Sequence, residues 1–187
     1  MSILVFKNFT ETSVEEKEQI LNWRNSDRIR LKMFDQNIIS LEQHLNWISS
    51  LKQKKDCLYF FVSLDTVPLG VIDFTELNFL ERSGCFGFYT DEKFTMYGSV
   101  IEAELLRYFF ENIDFDLIKA SILESNKKVY LNHKKYFNFN DTGVFYNEKI
   151  KSKIFNVILS KSDWKKREAS FEKKLMKTLN IQEFVWK

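Results

Sequence analysis

Proline is nearly absent from this chain of 187 residues: Pro68 stands alone, and there are only five glycines. No Pro-, Gly- or Ser-rich stretch exists to serve as a linker, and no internal repeat is visible, so the chain reads as one folding unit of ordinary size. Cysteine is equally scarce. Cys57 and Cys85 alone make neither a disulfide framework nor a zinc motif. Each sits in an apolar, strand-like run, so both are expected as buried free thiols. Net charge is small as well. The 28 basic and 26 acidic residues leave +2, without the concentrated basic face that a dedicated nucleic-acid binder needs. No window is apolar for long enough to span a bilayer, and residues 1–7 lack the charged start, apolar stretch and cleavage site of a signal peptide. The expectation is a soluble, cytoplasmic protein with no nucleic-acid, membrane or metal partner.

What the chain does have is aromatic side chains. It is 44% hydrophobic and 16% aromatic, with 19 Phe, enough large rings for a real core. Residues 3–8 read as a short strand. Ser13 followed by Glu16 is a capping box, and the helix it opens turns Ile20, Leu21 and Trp23 toward the core. Ser40 and Gln43 make a second box. Its helix carries Leu41, Leu45 and Ile48 at i, i+4, i+7 on the expected buried face, with His44 and Trp47 beside that stripe. Apolar runs at 58–64, 69–75 and 84–90 read as strands joined by short turns. Residues 99–112 read as a helix apolar on most sides, 117–123 as a strand and 129–137 as a short helix. Segments 139–145 and 154–160 close as two strands around a turn near 149–151. Residues 162–179 read as a last helix, with Phe171, Leu175 and Leu179 as a modest apolar stripe. This order predicts an α/β fold: a mixed, mostly antiparallel sheet with helices on both faces. The expected organisation is a domain over 1–161 and a C-terminal helical extension over 162–187, packed on the same domain or on a second copy. The aromatic content is compatible with a homodimer.

The segment Phe94-Thr95-Met96-Tyr97-Gly98-Ser99-Val100 joins a strand to the long helix. A helix start offers unpaired backbone N–H groups and a positive dipole end to a pyrophosphate, and small residues such as Gly98 and Ser99 admit phosphates to the backbone. A glycine before a helix is also an ordinary turn. Taken with Gly87-Phe88-Tyr89, the buried helix, the strand at 118–123 and Ser125-Asn126-Lys127-Lys128, the segment resembles the acetyl-CoA half of the GNAT acetyltransferase fold. Two departures stand out: Met96 occupies a place where that family's loop carries glycine, and the leading Arg or Gln is absent. The resemblance implies acetyl-CoA as co-substrate, with Phe88, Tyr89, Gly98, Ser99 and Asn126 toward the coenzyme. Asn126 is alternatively an ordinary helix cap.

The N-terminal half carries a second resemblance. Trp23-Arg24-Asn25, Arg30, Met33 and Ile39-Ser40-Leu41-Glu42-Gln43-His44-Leu45-Asn46-Trp47-Ile48 are similar to the acetyltransferases of the pseudaminic-acid pathway, whose acceptor is the 4-amino group of a UDP-linked dideoxy sugar. The similarity covers roughly residues 4–160. It implies that Arg24 pairs with a sugar-nucleotide phosphate, and that Met33, His44, Trp47 and Tyr89 line the acceptor pocket. The plainer alternatives are a surface ion pair for Arg24, a hydrogen-bonded structural histidine for His44, and core roles for Met33 and Trp47.

Acetyl transfer to an amine needs a neutral nitrogen, a stabilised oxyanion and a proton donor for the departing thiolate. By resemblance, the backbone near Phe88 and Tyr89 polarises the thioester carbonyl. The family's proton-donating Tyr falls here at His133, whose pKa range suits the task. A helix-surface histidine is the alternative for His133, and Tyr130 or Tyr136 take the role if the register slips by a turn. No base is assigned; Glu76 and Glu124 are the carboxylates considered. Two other readings compete with amino-sugar acetylation: a GNAT enzyme acting on a protein N-terminus or another small amine, and a catalytically inactive GNAT-like binding module.

Overall fold

The computed structural model describes residues 2–166 and 169–187, and of 169–172 the backbone alone. Eight strands form one sheet: β1 (Ser2–Asn8), β2 (Leu58–Leu64), β3 (Val67–Asn78), β4 (Ser83–Thr90), β5 (Leu117–Leu123), β6 (Asn140–Asn147), β7 (Ser152–Ser160) and β8 (Ile181–Trp186). Their spatial order is β6-β7-β5-β4-β3-β2-β1-β8. The β4–β5 and β1–β8 pairs are parallel and the other neighbours antiparallel. The mixed α/β sheet expected from the sequence is therefore present. The helices are α1 (Val14–Asn25), α2 (Asp27–Arg30), α3 (Leu41–Ser50), α4 (Gly98–Tyr108), α5 (Lys127–Phe137), α6 (Lys161–Lys166) and α7 (Ala169–Thr178). None among the described residues is long and apolar enough to cross a membrane.

Both capping boxes close as read. The Ser13 side chain accepts from the Glu16 N–H and Glu16 reaches back to the Ser13 N–H; Ser40 and Gln43 do the same for α3. Strand alternation then divides the apolar residues between two faces. Phe60, Val62, Ile72 and Phe74 join the larger core under α4, with Val100, Leu105 and Phe109. Phe61 and Val71 join a smaller core with Ile20 and Trp23 of α1 and Ile48 of α3. Gly70 permits the tight β3–β4 approach, because a Cβ there would meet the Tyr89 carbonyl oxygen at 2.2 Å.

Three features differ from the sequence reading. On α3 the buried residues are His44 and Ile48, while Leu41 is 43% exposed. The apolar face is rotated toward His44, Ile48 and Leu51, because the helix rests on Phe9 and β2 with Trp47 as its flank. The long helix ends in a π-helical turn, Phe109–Ile113, which buries Phe109 and Phe110 together. Finally, the C-terminal segment holds two described helices and then strand β8, which the sequence reading did not contain. β8 is fixed from outside itself. Trp186 stacks on Phe6 at 4.2 Å and on Tyr108 at 3.7 Å between ring centres, and its Nε1 donates to Glu104 at 2.7 Å. Of the expected stripe, Leu175 and Leu179 pack against the main core; the Phe171 side chain lies outside the described residues.

Candidate active site

The parallel β4–β5 pair holds over only three rungs, Ser83 with Leu117, Gly84 with Ile118 and Cys85 with Lys119. β4 remains bonded to β3 as far as Thr90, whereas β5 turns away to pair with β7. The edge of β4 from Phe86 to Thr90 is thus left without a strand partner among the described residues. Unpaired strand backbone is a ready acceptor and donor row for an extended ligand.

A cavity of about 430 Å³ opens along that edge. Phe88, Tyr89, Gly98, Ser99 and Asn126 all line it, so the structure brings together the five residues that the resemblance assigned to the coenzyme. The start of the eleven-residue helix α4 and the cations Arg28, Lys32 and Lys128 also line it. A Cβ on Gly98 would meet only Phe88, at an ordinary 3.7 Å, so the start of the helix is not crowded there. Asn126 makes no side-chain cap for α5, which leaves its amide free for the cavity. An N-terminal helix end, three cations and a bare strand edge fit a pyrophosphate with an amide-bearing arm. Arg28, Lys32 and Lys128 come from outside the loop and supply positive charge where the loop's leading Arg or Gln is missing.

A second cavity of about 570 Å³ adjoins the first. Arg24, Met33, His44, Trp47 and Tyr89 line it, again the full set assigned to the acceptor. Phe9, Trp47 and Tyr59 make an aromatic corner, with Trp47 edge-on to Tyr59 at 4.9 Å and to Phe9 at 6.1 Å. The loop between α2 and α3 is tied over the cavity. Asn25 donates to the Ile39 carbonyl at 2.8 Å and accepts from its N–H at 2.9 Å, and Arg30 donates to the Gln36 carbonyl at 2.7 Å. Arg24 donates through Nη2 to the Asp35 carbonyl at 2.7 Å, while its Nη1 is buried with no partner. His44 Nε2 lies 3.0 Å from the Lys17 carbonyl oxygen, an acceptor that fixes the proton on Nε2 and leaves Nδ1 bare. Burial pushes the His44 pKa below the ordinary histidine value, so the ring is neutral at physiological pH.

His133 is not on the wall of either cavity. Its ring is 2% exposed, packed against Phe86 and Phe139, with Nδ1 2.5 Å from Glu102 Oε1. Glu102, from α4, is the member of this pair that lines the cavity along β4. Burial pushes the Glu102 carboxyl up, against the pull of His133.

Among the described residues only Met33, Asp73 and Tyr89 line both cavities. Asp73 escaped the sequence reading, although a signal existed: it is the single charge in the apolar run Leu69-Gly70-Val71-Ile72-Asp73-Phe74. Glu102 escaped for the opposite reason, since an acidic residue inside a helix is ordinary. Glu76 and Glu124, the carboxylates considered before, line neither cavity.

No family model matches the chain. The acetyltransferase PseH of Campylobacter jejuni is 30% identical over 163 residues, a match covering 87% of this chain and 98% of PseH. PseH from another strain of that organism is 34% identical over 126 residues, covering 67% of this chain and 78% of the relative. The crystal structure of Campylobacter jejuni N-acetyltransferase PseH in complex with acetyl coenzyme A superposes with a TM-score of 0.65 at 27% identity, over 84% of this chain and 98% of that one. The spermidine N-acetyltransferase of Vibrio cholerae in complex with CoA and spermine gives a TM-score of 0.76 at 15% identity, over 86% and 97% of the two chains, and shares the fold.

Proposed function

Because the chain belongs to the PseH acetyltransferase family of GNAT N-acetyltransferases and takes acetyl-CoA as co-substrate, we propose that its acceptor is the amino group of a nucleotide-linked amino sugar of the 4-amino-dideoxy type. The observation that carries this reading is Arg24, which lines the aromatic cavity and whose Nη1 is buried and, among the described residues, without a partner. A buried guanidinium N–H without an acceptor costs stability, and a nucleotide phosphate is an acceptor of the right charge. The Phe9–Trp47–Tyr59 corner supplies flat faces for a base or sugar ring. His44 Nδ1 is left to accept a hydrogen bond from a hydroxyl. A peptide N-terminus or polyamine gives Arg24 no phosphate to bind.

Bound in the cavity along β4, acetyl-CoA supplies an activated acyl group on a good leaving group. The residues of the chain do the rest. The start of α4 with Arg28, Lys32 and Lys128 holds the phosphates. The free backbone of Phe88 and Tyr89 orients the pantetheine arm and polarises the acyl carbonyl, with Asn126 as a further amide contact. For the proton that the departing sulfur requires, the Glu102–His133 pair takes the place of His133 alone: Glu102 faces the cavity, and His133 fixes it from behind.

The test is thiol release from acetyl-CoA with a UDP-linked 4-amino-dideoxy sugar, comparing wild type with Arg24→Ala. Turnover, with the sugar-nucleotide KM raised about 10- to 100-fold in the variant as expected for one lost charged hydrogen bond, supports the reading. An equal KM in the two proteins, or faster turnover with a peptide amine than with any sugar nucleotide, overturns it.

A further inference from the structure

An amine acceptor arrives protonated at neutral pH, so a group on the enzyme or water must take a proton before nitrogen can attack. We propose that Asp73 is that general base, standing at the junction of the acceptor and coenzyme cavities. The proposal rests on the reading of the chain as an amine acetyltransferase.

The position follows from the sheet. Asp73 lies on β3 opposite Tyr59 of β2 and Gly87 of β4, on the face that carries Phe61 and Val71 into the smaller core. It is the one carboxylate lining both cavities. Its space is reserved by the neighbouring strand: a Cβ on Gly87 would fall 2.9 Å from Asp73 Oδ2 and 3.2 Å from Oδ1. Glycine there brings the carboxylate against the β4 backbone at the start of its unpaired edge.

The other cavity carboxylates are engaged. Glu102 is bound by His133 at 2.5 Å. Asp35 Oδ1 accepts from the Asn37 N–H at 3.0 Å and from Asn37 Nδ2 at 2.8 Å. Among the described residues the Asp73 carboxylate has no hydrogen bond and no ion pair, so both oxygens are available to an ammonium.

The surroundings set its proton affinity. The titratable groups that sense Asp73 are Tyr59 and Cys57 on β2 and Tyr89 and Cys85 on β4. All four have their pKa raised by burial, so they are neutral near pH 7. From the helices and loops, His44 is neutral. The cations Arg24, Arg28, Lys32 and Lys128 line the walls without pairing to Asp73. With no compensating charge, burial pushes the Asp73 carboxyl up to about 7, which suits a base working near neutrality.

The step balances with the acceptor alone. The Asp73 carboxylate takes one proton from the ammonium. The freed lone pair forms the C–N bond at the thioester carbon. The C–S bond breaks with its electron pair on sulfur, which takes its proton from the Glu102–His133 pair; the nitrogen's second proton restores that pair, and the proton on Asp73 returns to water.

The experiment is the pH profile of kcat/KM between pH 5.5 and 9 for wild type and Asp73→Asn, with the UDP-linked 4-amino-dideoxy sugar as acceptor. Acetyl-CoA affinity by calorimetry and the Tm of the free protein accompany it. Wild type is expected to rise through a midpoint near 7 to a plateau. Asp73→Asn is expected to lose about 10²- to 10⁴-fold and that midpoint, while binding acetyl-CoA with unchanged affinity. The free protein gives an independent reading. A carboxyl at about 7 when folded and 3.8 ordinarily binds more protons folded than unfolded, so wild-type stability falls as pH rises between those values. Asp73→Asn lacks that loss, and its Tm relative to wild type is expected to be higher at pH 8 than at pH 4. Wild-type activity retained in Asp73→Asn, or a loss of acetyl-CoA binding equal to the loss of rate, overturns the base assignment and leaves amine acetylation standing. No turnover by wild type with any amine overturns the reading beneath it, and the base with it.

Discussion

Single side chains in this molecule are governed by what burial does to their charge. Cys85 shows it outside the site. Burial, aided by the Glu76 carboxylate that its Sγ contacts at 3.3 Å, pushes its thiol up to about 12, and burial raises Cys57 too. The thiolate is the reacting form. Native protein treated with iodoacetamide at pH 8 is therefore expected to label about 100-fold more slowly than urea-unfolded protein, which takes a label on each of the two cysteines. Intact-mass spectrometry reads the difference, and equal native and unfolded rates would contradict it. The sequence expectation of buried thiols is met only halfway, since both are partly exposed. At the site the same physics was legible in part. Arg24, Met33, His44, Trp47 and Tyr89 were picked out by their resemblance to a family and surround one cavity. Asp73 was not picked out: the chain shows it as the lone charge of an apolar run, but its cross-strand neighbour Gly87 and the absence of a partner among the described residues are not visible there.

At the scale of the element, local signals were read well and long-range ones were not. A capping box is complete within four residues, so Ser13 and Ser40 announced their helices. Strands β2 and β5 announced themselves as apolar runs with the bounds found in the structure. The face of α3 was misjudged by about one residue's rotation: Leu41 looks apolar but is exposed in the first turn, while His44 and Ile48 are buried. β8 was missed altogether. Ile181-Gln182-Glu183-Phe184-Val185-Trp186 has no clean alternation, and its strand state is imposed by pairing with β1 and by the Phe6–Trp186–Tyr108 stack. Trp186 also shares buried Glu104 with Arg107, which pairs at 2.7 Å through both Nε and Nη2. Trp186→Ala is expected to cost about 3 kcal/mol and to lower Tm by roughly 6–12 °C in a chain of this size. Thermal unfolding checks it beside Leu80→Ala, where a side chain 98% exposed is expected to leave Tm unchanged.

The whole molecule is a sheet divided by a splay. From β8 to β4 the strands pair in an unbroken run that carries the aromatic cavity on one face; from β5 to β6 a second block holds Asn126 and α5 beside the first. Three rungs between Ser83–Cys85 and 117–119 are the strand contact that joins them, and a ligand lying along the free edge of β4 bridges both blocks. Acetyl-CoA at 100 times its Kd is expected to stabilise the fold by about 2.7 kcal/mol, read as a rise in Tm. The rise is expected to shrink with added salt, as contacts from Arg28, Lys32 and Lys128 to phosphates are screened. A shift unaffected by salt would place the phosphates elsewhere. The β1–β8 pair has a consequence in time. Ser2 pairs with Ile181, so β1 leaves the ribosome before any other strand described, and its outer neighbour leaves after every other. Until β8 has been made the outer edge of β1 stays bare, a template for unwanted pairing with other nascent chains. Completion of this sheet waits on β8, and a chain halted short of β8 is the form that a cell's chaperones would have to shield.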